Sequence, residues 1–123
     1  MIGVGIGIDV VDLARFRSAI ARRPAIVLRL FTAAERAELS ERHDSVPGLA
    51  ARFAAKEAAM KALGVGLGAI AFQELEVVGG HGRPPRLVAT GRAAARADRL
   101  GVTAWHVSLT HTDGLAAAMV VAT

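Results

Sequence analysis

Arg52, Lys56, Glu57 and Lys61 stand within one alanine-dense stretch, R-F-A-A-K-E-A-A-M-K-A-L-G-V-G, which ends in the glycine pair Gly64 and Gly66. One carboxylate among three cations, just ahead of a flexible turn, is what a metal-assisted phosphate site needs. Asp9 is the second notable carboxylate, placed after alternating glycines near the end of a strand-like segment and before a helix-like one. If Asp9 and Glu57 converge, they offer Mg²⁺ its usual one or two carboxylates, with waters and phosphate oxygens completing the shell. Lys61, one turn beyond Glu57, would then reach a phosphate on that metal. His111, flanked by Thr110 and Thr112, could donate hydrogen bonds to a phosphate.

Each of these residues also has a plainer role open to it. Glu57 and Lys61 at i, i+4 could be an exposed ion pair worth a few tenths of a kcal/mol. Asp9 or Asp12 could cap the following helix, and a histidine in a turn is commonly solvated. His43, His81 and His106 show no metal-ligand spacing with one another.

The elements that must position these groups follow from local patterns. Val4, Ile6, Ile8 and Val10 alternate with Gly5, Gly7 and Asp9, which predicts an opening strand. A helix is expected from about Asp12 to Arg23, stopped by Pro24, with Leu13, Phe16 and Ile20 on its apolar side. Thr32 and Glu35 form a capping-box pattern ahead of a helix from about Ala33 to Glu41. His43 to Pro47 reads as a loop, and Gly48 to Leu63 as a long helix ended by Gly64. On that helix Ala51, Ala55, Ala58 and Ala62 form one stripe suited to close packing, with Arg52, Lys56, Glu57 and Lys61 directed away from it.

Phe72 to Val78 and Arg86 to Ala89 are expected strands around a Gly- and Pro-rich turn, Gly79 to Pro85. Thr90 is placed to cap a helix running to about Leu100. Ala104 to Thr110 and Leu115 to Ala122 read as two strands joined through Asp113-Gly114. The sum is a single small α+β domain over residues 1–123, with a mainly antiparallel sheet and a long central helix.

Composition narrows the function. The chain is 53% hydrophobic with only 4% aromatics, and its mean hydropathy is +0.41. So much Ala, Val and Leu in so small a domain suggests burial against another subunit. No apolar run is long enough to span a membrane, and the first residues lack a signal-peptide pattern, so a cytoplasmic location is expected. The absence of cysteine excludes disulfides, thiolate metal sites and thiol nucleophiles. A net charge of +4 favours acidic partners. Arg15, Arg17, Arg22 and Arg23 crowd the first helix, and Arg15 and Arg22 share a stripe with Ser18. That face could be solvated or could dock an acidic helix. Nucleic acid is the weaker choice, since few aromatics are available to stack bases and no groove-reading motif occurs.

Taken together, the chain resembles the AcpS-type holo-[acyl-carrier-protein] synthase family of 4'-phosphopantetheinyl transferases. Three blocks carry the resemblance in order: GIGIDVVDLARF at Gly5 to Phe16, RFAAKEAAMKALGVG at Arg52 to Gly66, and VSLTHTDGLAAAMVV at Val107 to Val121. FTAAE at Phe31 to Glu35 and GRP at Gly82 to Pro84 fit between them. The resemblance implies transfer of the 4'-phosphopantetheine arm from coenzyme A to a serine of apo acyl carrier protein, for fatty-acid or polyketide biosynthesis. It implies catalytic roles for Asp9, Glu57 and Lys61, with Asp9 and Glu57 as Mg²⁺ ligands and Lys61 on the pyrophosphate. Arg52, His111 and Thr112 match positions near the 3'-phosphate, and Gly64 and Gly66 match the loop beside the coenzyme. Arg83 and Pro84 fall in the matching GRP segment. The loop before Arg52, often with paired basic residues in the family, here reads S-E-R-H-D-S, which leaves Arg42 and His43 as the matching nucleotide contacts, and His81 stands where the family often has an Asn. Arg15 and Arg22 match the surface that binds the acidic helix of the carrier protein. A homotrimer with active sites between subunits is also implied. The serine needs a base, either Glu57 or a metal-bound water; the water is preferred, because a bound cation lowers the proton affinity of Glu57.

Overall fold

The structure is a computed structural model and describes residues 3–80 and 82–123, so His81 lies outside the described residues. Its elements in chain order are β1 (Gly5–Asp12), α1 (Leu13–Arg22), α2 (Ala25–Leu30), α3 (Ala33–Leu39) and α4 (Val46–Leu63). After a 3₁₀ turn at Phe72–Glu74 come β2 (Leu75–Gly80), β3 (Arg83–Ala89), α5 (Gly91–Leu100), β4 (Trp105–His111) and β5 (Leu115–Ala122). The architecture is α+β. One antiparallel sheet has the order β1-β5-β4, and β2 pairs with β3 in a separate hairpin that lies against β4. No helix among the described residues is long and apolar enough to cross a membrane.

α4 lies across the inner face of β1 and β5, and the glycines of β1 make this possible. A Cβ on Gly7 would stand 1.7 Å from the carbonyl oxygen of Ala58, and one on Gly5 would stand 2.3 Å from that of Ala62. Strand backbone therefore touches helix backbone directly, and the alanine stripe is the surface it touches. From β5, the alternate residues Ala116, Ala118, Val120 and Ala122 complete this interior.

The helix is covered on more than that one side. From Gly48 onward its only residues that are not buried before the end cap are Phe53, Glu57, Lys61 and Ala62. The expectation that Arg52 and Lys56 point away from the packed side together with Glu57 and Lys61 is thus corrected. Lys56 is fully buried; its Nζ donates to Glu35 Oε1 at 2.7 Å and to the Phe72 carbonyl at 2.9 Å, and it lies over the Phe31 ring. Burial lowers the Lys56 pKa, and Glu35 opposes that shift. Arg52 is 2% exposed, bound through Nη2 to Glu38 and to the Gly79 carbonyl.

Local signals explain most boundaries. The Thr32/Glu35 capping box forms as expected, and the same Glu35 carboxylate also accepts from Val77 N. Gly64 ends α4 at φ +67°, a left-handed conformation that favours glycine. Elsewhere the expectations shift. Pro24 stops α1 and is followed at once by α2, a short helix that no local signal in the sequence announces. Phe72–Glu74 is a 3₁₀ turn rather than strand, β3 begins at Arg83, α4 begins at Val46, and His111 ends β4 instead of sitting in the turn. Thr90 makes no side-chain cap to α5; the Glu74 carboxylate accepts from Arg92 N in its place.

Gly7→Ala should therefore destabilise the protein by about 3 kcal/mol or more, at the upper end of overpacking costs. Gly114→Ala, where a Cβ meets nothing within 4 Å, should change stability by less than about 0.5 kcal/mol. Urea unfolding of both variants checks this contrast.

Candidate active site

The unburied stripe of α4 holds the candidate residues. Phe53, Glu57 and Lys61 follow one another at i, i+4, i+8, and Asp9 on the inner face of β1 meets them. Asp12, not Asp9, caps α1, accepting from Arg15 N at 2.9 Å, so the Asp9 carboxylate is not used as a cap. Burial raises the Glu57 pKa and the Asp9 charge raises it further, while Lys61 lowers it. Lys61 Nζ donates to the Ile8 carbonyl at 2.8 Å and to Asp9 Oδ1 at 3.2 Å. Lys61 thus reaches across to β1, and its ion pair is with Asp9 rather than with Glu57 on its own helix.

These residues fit a hard divalent cation. Two like-charged carboxylates share one opening and repel each other, which a cation would relieve. No group of three or more possible protein ligands occurs among the described residues. A two-carboxylate site with water and phosphate oxygens completing the shell is the Mg²⁺ pattern.

The opening is a cavity of about 720 Å³ between β1, α1 and α4. Its walls include Asp9, Phe53 and Glu57 on one side and Arg15, Ser18 and Arg22 of α1 on the other. Phe53 stacks between Phe16 and Phe72, with ring centroids 5.6 Å apart in both pairs, and so gives the cavity a rigid apolar floor. Of the crowded α1 arginines, Arg17 is taken by Asp44 at 2.7 Å and 3.2 Å. The Arg15–Arg22 stripe borders the cavity instead.

The remaining candidates lie outside the lining of that cavity. Arg52 lies nine residues before Lys61 on α4, about 13 Å along the axis. It faces the β2–β3 hairpin and lies close enough to Arg42 to help lower the Arg42 pKa, after burial. Among the described residues, Arg52 Nε is buried without a hydrogen-bond partner. Arg83 and Pro84 are exposed at the start of β3. His111 and Thr112 are exposed at the end of β4, where Thr112 Oγ1 accepts from Gly114 N and Leu115 N. β1 and β4 are the two outer strands of the sheet. Arg52, Arg83 and His111 thus do not line the cavity that holds Asp9 and Glu57. Gly64 and Gly66 do follow directly on the Lys61 end of α4.

A model of the 4'-phosphopantetheinyl transferase superfamily matches residues 5–120. The chain belongs to that superfamily. It is 51% identical over 119 residues to the holo-[acyl-carrier-protein] synthase of Frankia casuarinae, covering 97% of this chain and 96% of the relative. The crystal structure of holo-[acyl-carrier-protein] synthase from Neisseria meningitidis is 30% identical with a TM-score of 0.87, covering 97% of both chains. That of Helicobacter pylori, in complex with coenzyme A, is 27% identical with a TM-score of 0.80, covering 96% of this chain and 99% of that one.

The position of Asp9 beside Glu57 sets a stability test for this family member. Glu57 holds its proton more tightly folded than unfolded, so its ionisation at neutral pH opposes folding in the absence of metal. Glu57→Gln should raise the melting temperature in EDTA at pH 7.5. The gain should shrink as pH falls toward the ordinary glutamate range, where the wild-type carboxyl is protonated too. Melting curves across that pH range check the sign.

Proposed function

We propose that this protein transfers the 4'-phosphopantetheine arm of coenzyme A to a serine of apo acyl carrier protein, releasing adenosine 3',5'-bisphosphate, with the chain acting as one catalytic domain. The observation that carries the reading is the meeting of Asp9 and Glu57 beside Lys61, at the foot of a cavity rimmed by Arg15 and Arg22. The family match and the coenzyme A held by the Helicobacter pylori relative support the donor. The names of the relatives support the acceptor.

Asp9 and Glu57 would hold Mg²⁺, which when bound supplies positive charge and Lewis acidity at the pyrophosphate. Lys61, already turned toward Asp9, would donate to a pyrophosphate oxygen and stabilise the charge that grows as the P–O bond to the nucleotide breaks. The serine oxygen forms the new bond to the same phosphorus and gives up its proton to a base, Glu57 or a water held beside it. The Phe16 and Phe53 rings in the cavity lining would keep water from one side of the attacked group, which favours serine over hydrolysis. Arg15 and Arg22 would meet the acidic helix of the carrier protein and bring its serine over the cavity.

Two features support a homotrimer with shared sites. The outer face of the sheet is apolar and exposed: Ile6 is 64%, Ile8 55% and Val10 56% accessible, with Leu115 and Met119 beside them. A patch of that kind marks an interaction surface. Arg52, Arg83, Pro84, His111 and Thr112 do not line the cavity of Asp9 and Glu57, which fits a coenzyme A that draws on them from a neighbouring copy.

Incubation with coenzyme A, Mg²⁺ and apo acyl carrier protein should add the mass of one phosphopantetheine arm to the carrier protein, read by intact mass spectrometry. Asp9→Asn should remove that gain while the protein stays folded; full activity of this variant at limiting Mg²⁺ would reject the metal assignment. Arg15→Glu should raise KM for the carrier protein about tenfold, since close charge pairs across an interface couple by about 1.5 kcal/mol or more. It should leave coenzyme A binding unchanged, and an unaltered carrier KM would reject the docking face.

A further inference from the structure

A second cleft, separate from the cavity under α1, opens where β1, the end of α4 and α5 meet. It measures about 320 Å³ and is lined by residues 3–6 with Lys61, Gly64, Arg96, Leu100 and Val102 among others. Lys61 and Arg96 bring two positive charges to it, and no carboxylate among the described residues lines it.

Arg96 is held in place there. Its Nε donates to the Leu63 carbonyl at 3.1 Å, one of the acceptors that the end of α4 leaves without a helical partner. Its Nη2 lies 3.7 Å from where a Gly64 Cβ would stand, so the absence of a side chain at Gly64 leaves the guanidinium open to the glycine turn. Among the described residues no hydrogen bond occupies the Arg96 Nη groups. Arg92, one turn earlier in the same row, is drawn to Glu74 instead.

The location makes an electrostatic demand. The C-terminal end of a helix carries partial negative charge and is a poor place for an anion. A phosphate that approaches Lys61 beside this end meets that field unless a further cation offsets it. Arg96 sits on the carbonyl concerned, and a guanidinium anchored through Nε presents a fixed fork of donors matched to two phosphate oxygens.

We propose that Arg96 is a second phosphate-binding residue of the donor site, gripping the coenzyme A pyrophosphate from the α5 side while Lys61 grips it from α4. This role rests on the proposed function, since it requires the pyrophosphate to lie at Lys61.

The test compares wild type with Arg96→Gln and Arg96→Lys, using coenzyme A and 3'-dephosphocoenzyme A as donors and apo acyl carrier protein as acceptor. Arg96→Gln should raise KM for both donors by the same factor, about tenfold for a lost charged hydrogen bond. Its carrier-protein KM should stay near the wild-type value. Arg96→Lys, which keeps the charge but not the anchored fork, should recover only part of the loss. Unchanged donor KM overturns the proposal. A loss seen only with coenzyme A also overturns it, because Arg96 would then serve the 3'-phosphate. A fall in kcat with an equal rise in carrier KM and a lowered melting temperature would make Arg96 only a structural cap. Calorimetric binding of coenzyme A to wild type and Arg96→Gln separates this proposal from the reaction itself. If wild type binds coenzyme A but transfers nothing, the proposed function fails, and the ratio of the two affinities still decides the role of Arg96.

Discussion

The contact of Gly5 and Gly7 with the backbone of α4 is the constraint on which the rest of the molecule depends. A side chain at either position would collide with the carbonyl of Ala58 or Ala62, so β1 and α4 meet at a separation that only glycine against alanine permits. Asp9 stands two residues beyond Gly7, and Glu57 immediately precedes Ala58. The distance between the two carboxylates is therefore governed by the strand–helix contact beside them. Packing and chemistry share one interface.

Two ion pairs hold α4 against rotation about its own axis. Lys56 and Glu35 are both completely buried and joined at 2.7 Å, and Glu35 is tied in turn to the start of its own helix and to β2. Such a pair contributes little net stability, yet breaking it costs several kcal/mol because one charge is left buried alone. Arg52 is held by Glu38 and Gly79 one turn earlier. Rotation of α4 by one residue would move these cations out of their partners' reach. With them in place, Phe53 and Glu57 are left to face the cavity, and Lys61 reaches Asp9 at its edge.

Charge is sorted by the same geometry. Arg17 is neutralised by Asp44 and Arg92 is paired with Glu74, while Arg15 and Arg22 border the carboxylate cavity. The basic character of the whole chain is thus resolved into a few directed faces. The apolar character is resolved in a similar way. Gly5, Gly7, Asp9 and Val11 turn toward α4, and Ile6, Ile8 and Val10 turn outward from the sheet, as the period-2 alternation of a strand requires.

Much of this was legible in the residues themselves. β1, α1, α3, α4, α5 and β5 follow from alternation, helical periodicity, the Thr32/Glu35 box and Gly64, all of which act within a few residues of chain. The ordered blocks around Asp9, Glu57 and His111 likewise identify the family without coordinates. Other features were not legible, because they depend on residues far apart in sequence. The burial of Lys56 requires Glu35, 21 positions away, and no helical wheel contains that partner. A helix rich in alanine is small on every side, so its periodicity does not say how many sides are packed. Lys61 was readable as a neighbour of Glu57, but its bonds to Ile8 and Asp9 cross 53 and 52 positions. By itself the sequence determined which groups are available and which elements carry them. The tertiary structure alone decided which of them meet, because that depends on the separation and rotation of packed elements rather than on spacing along the chain.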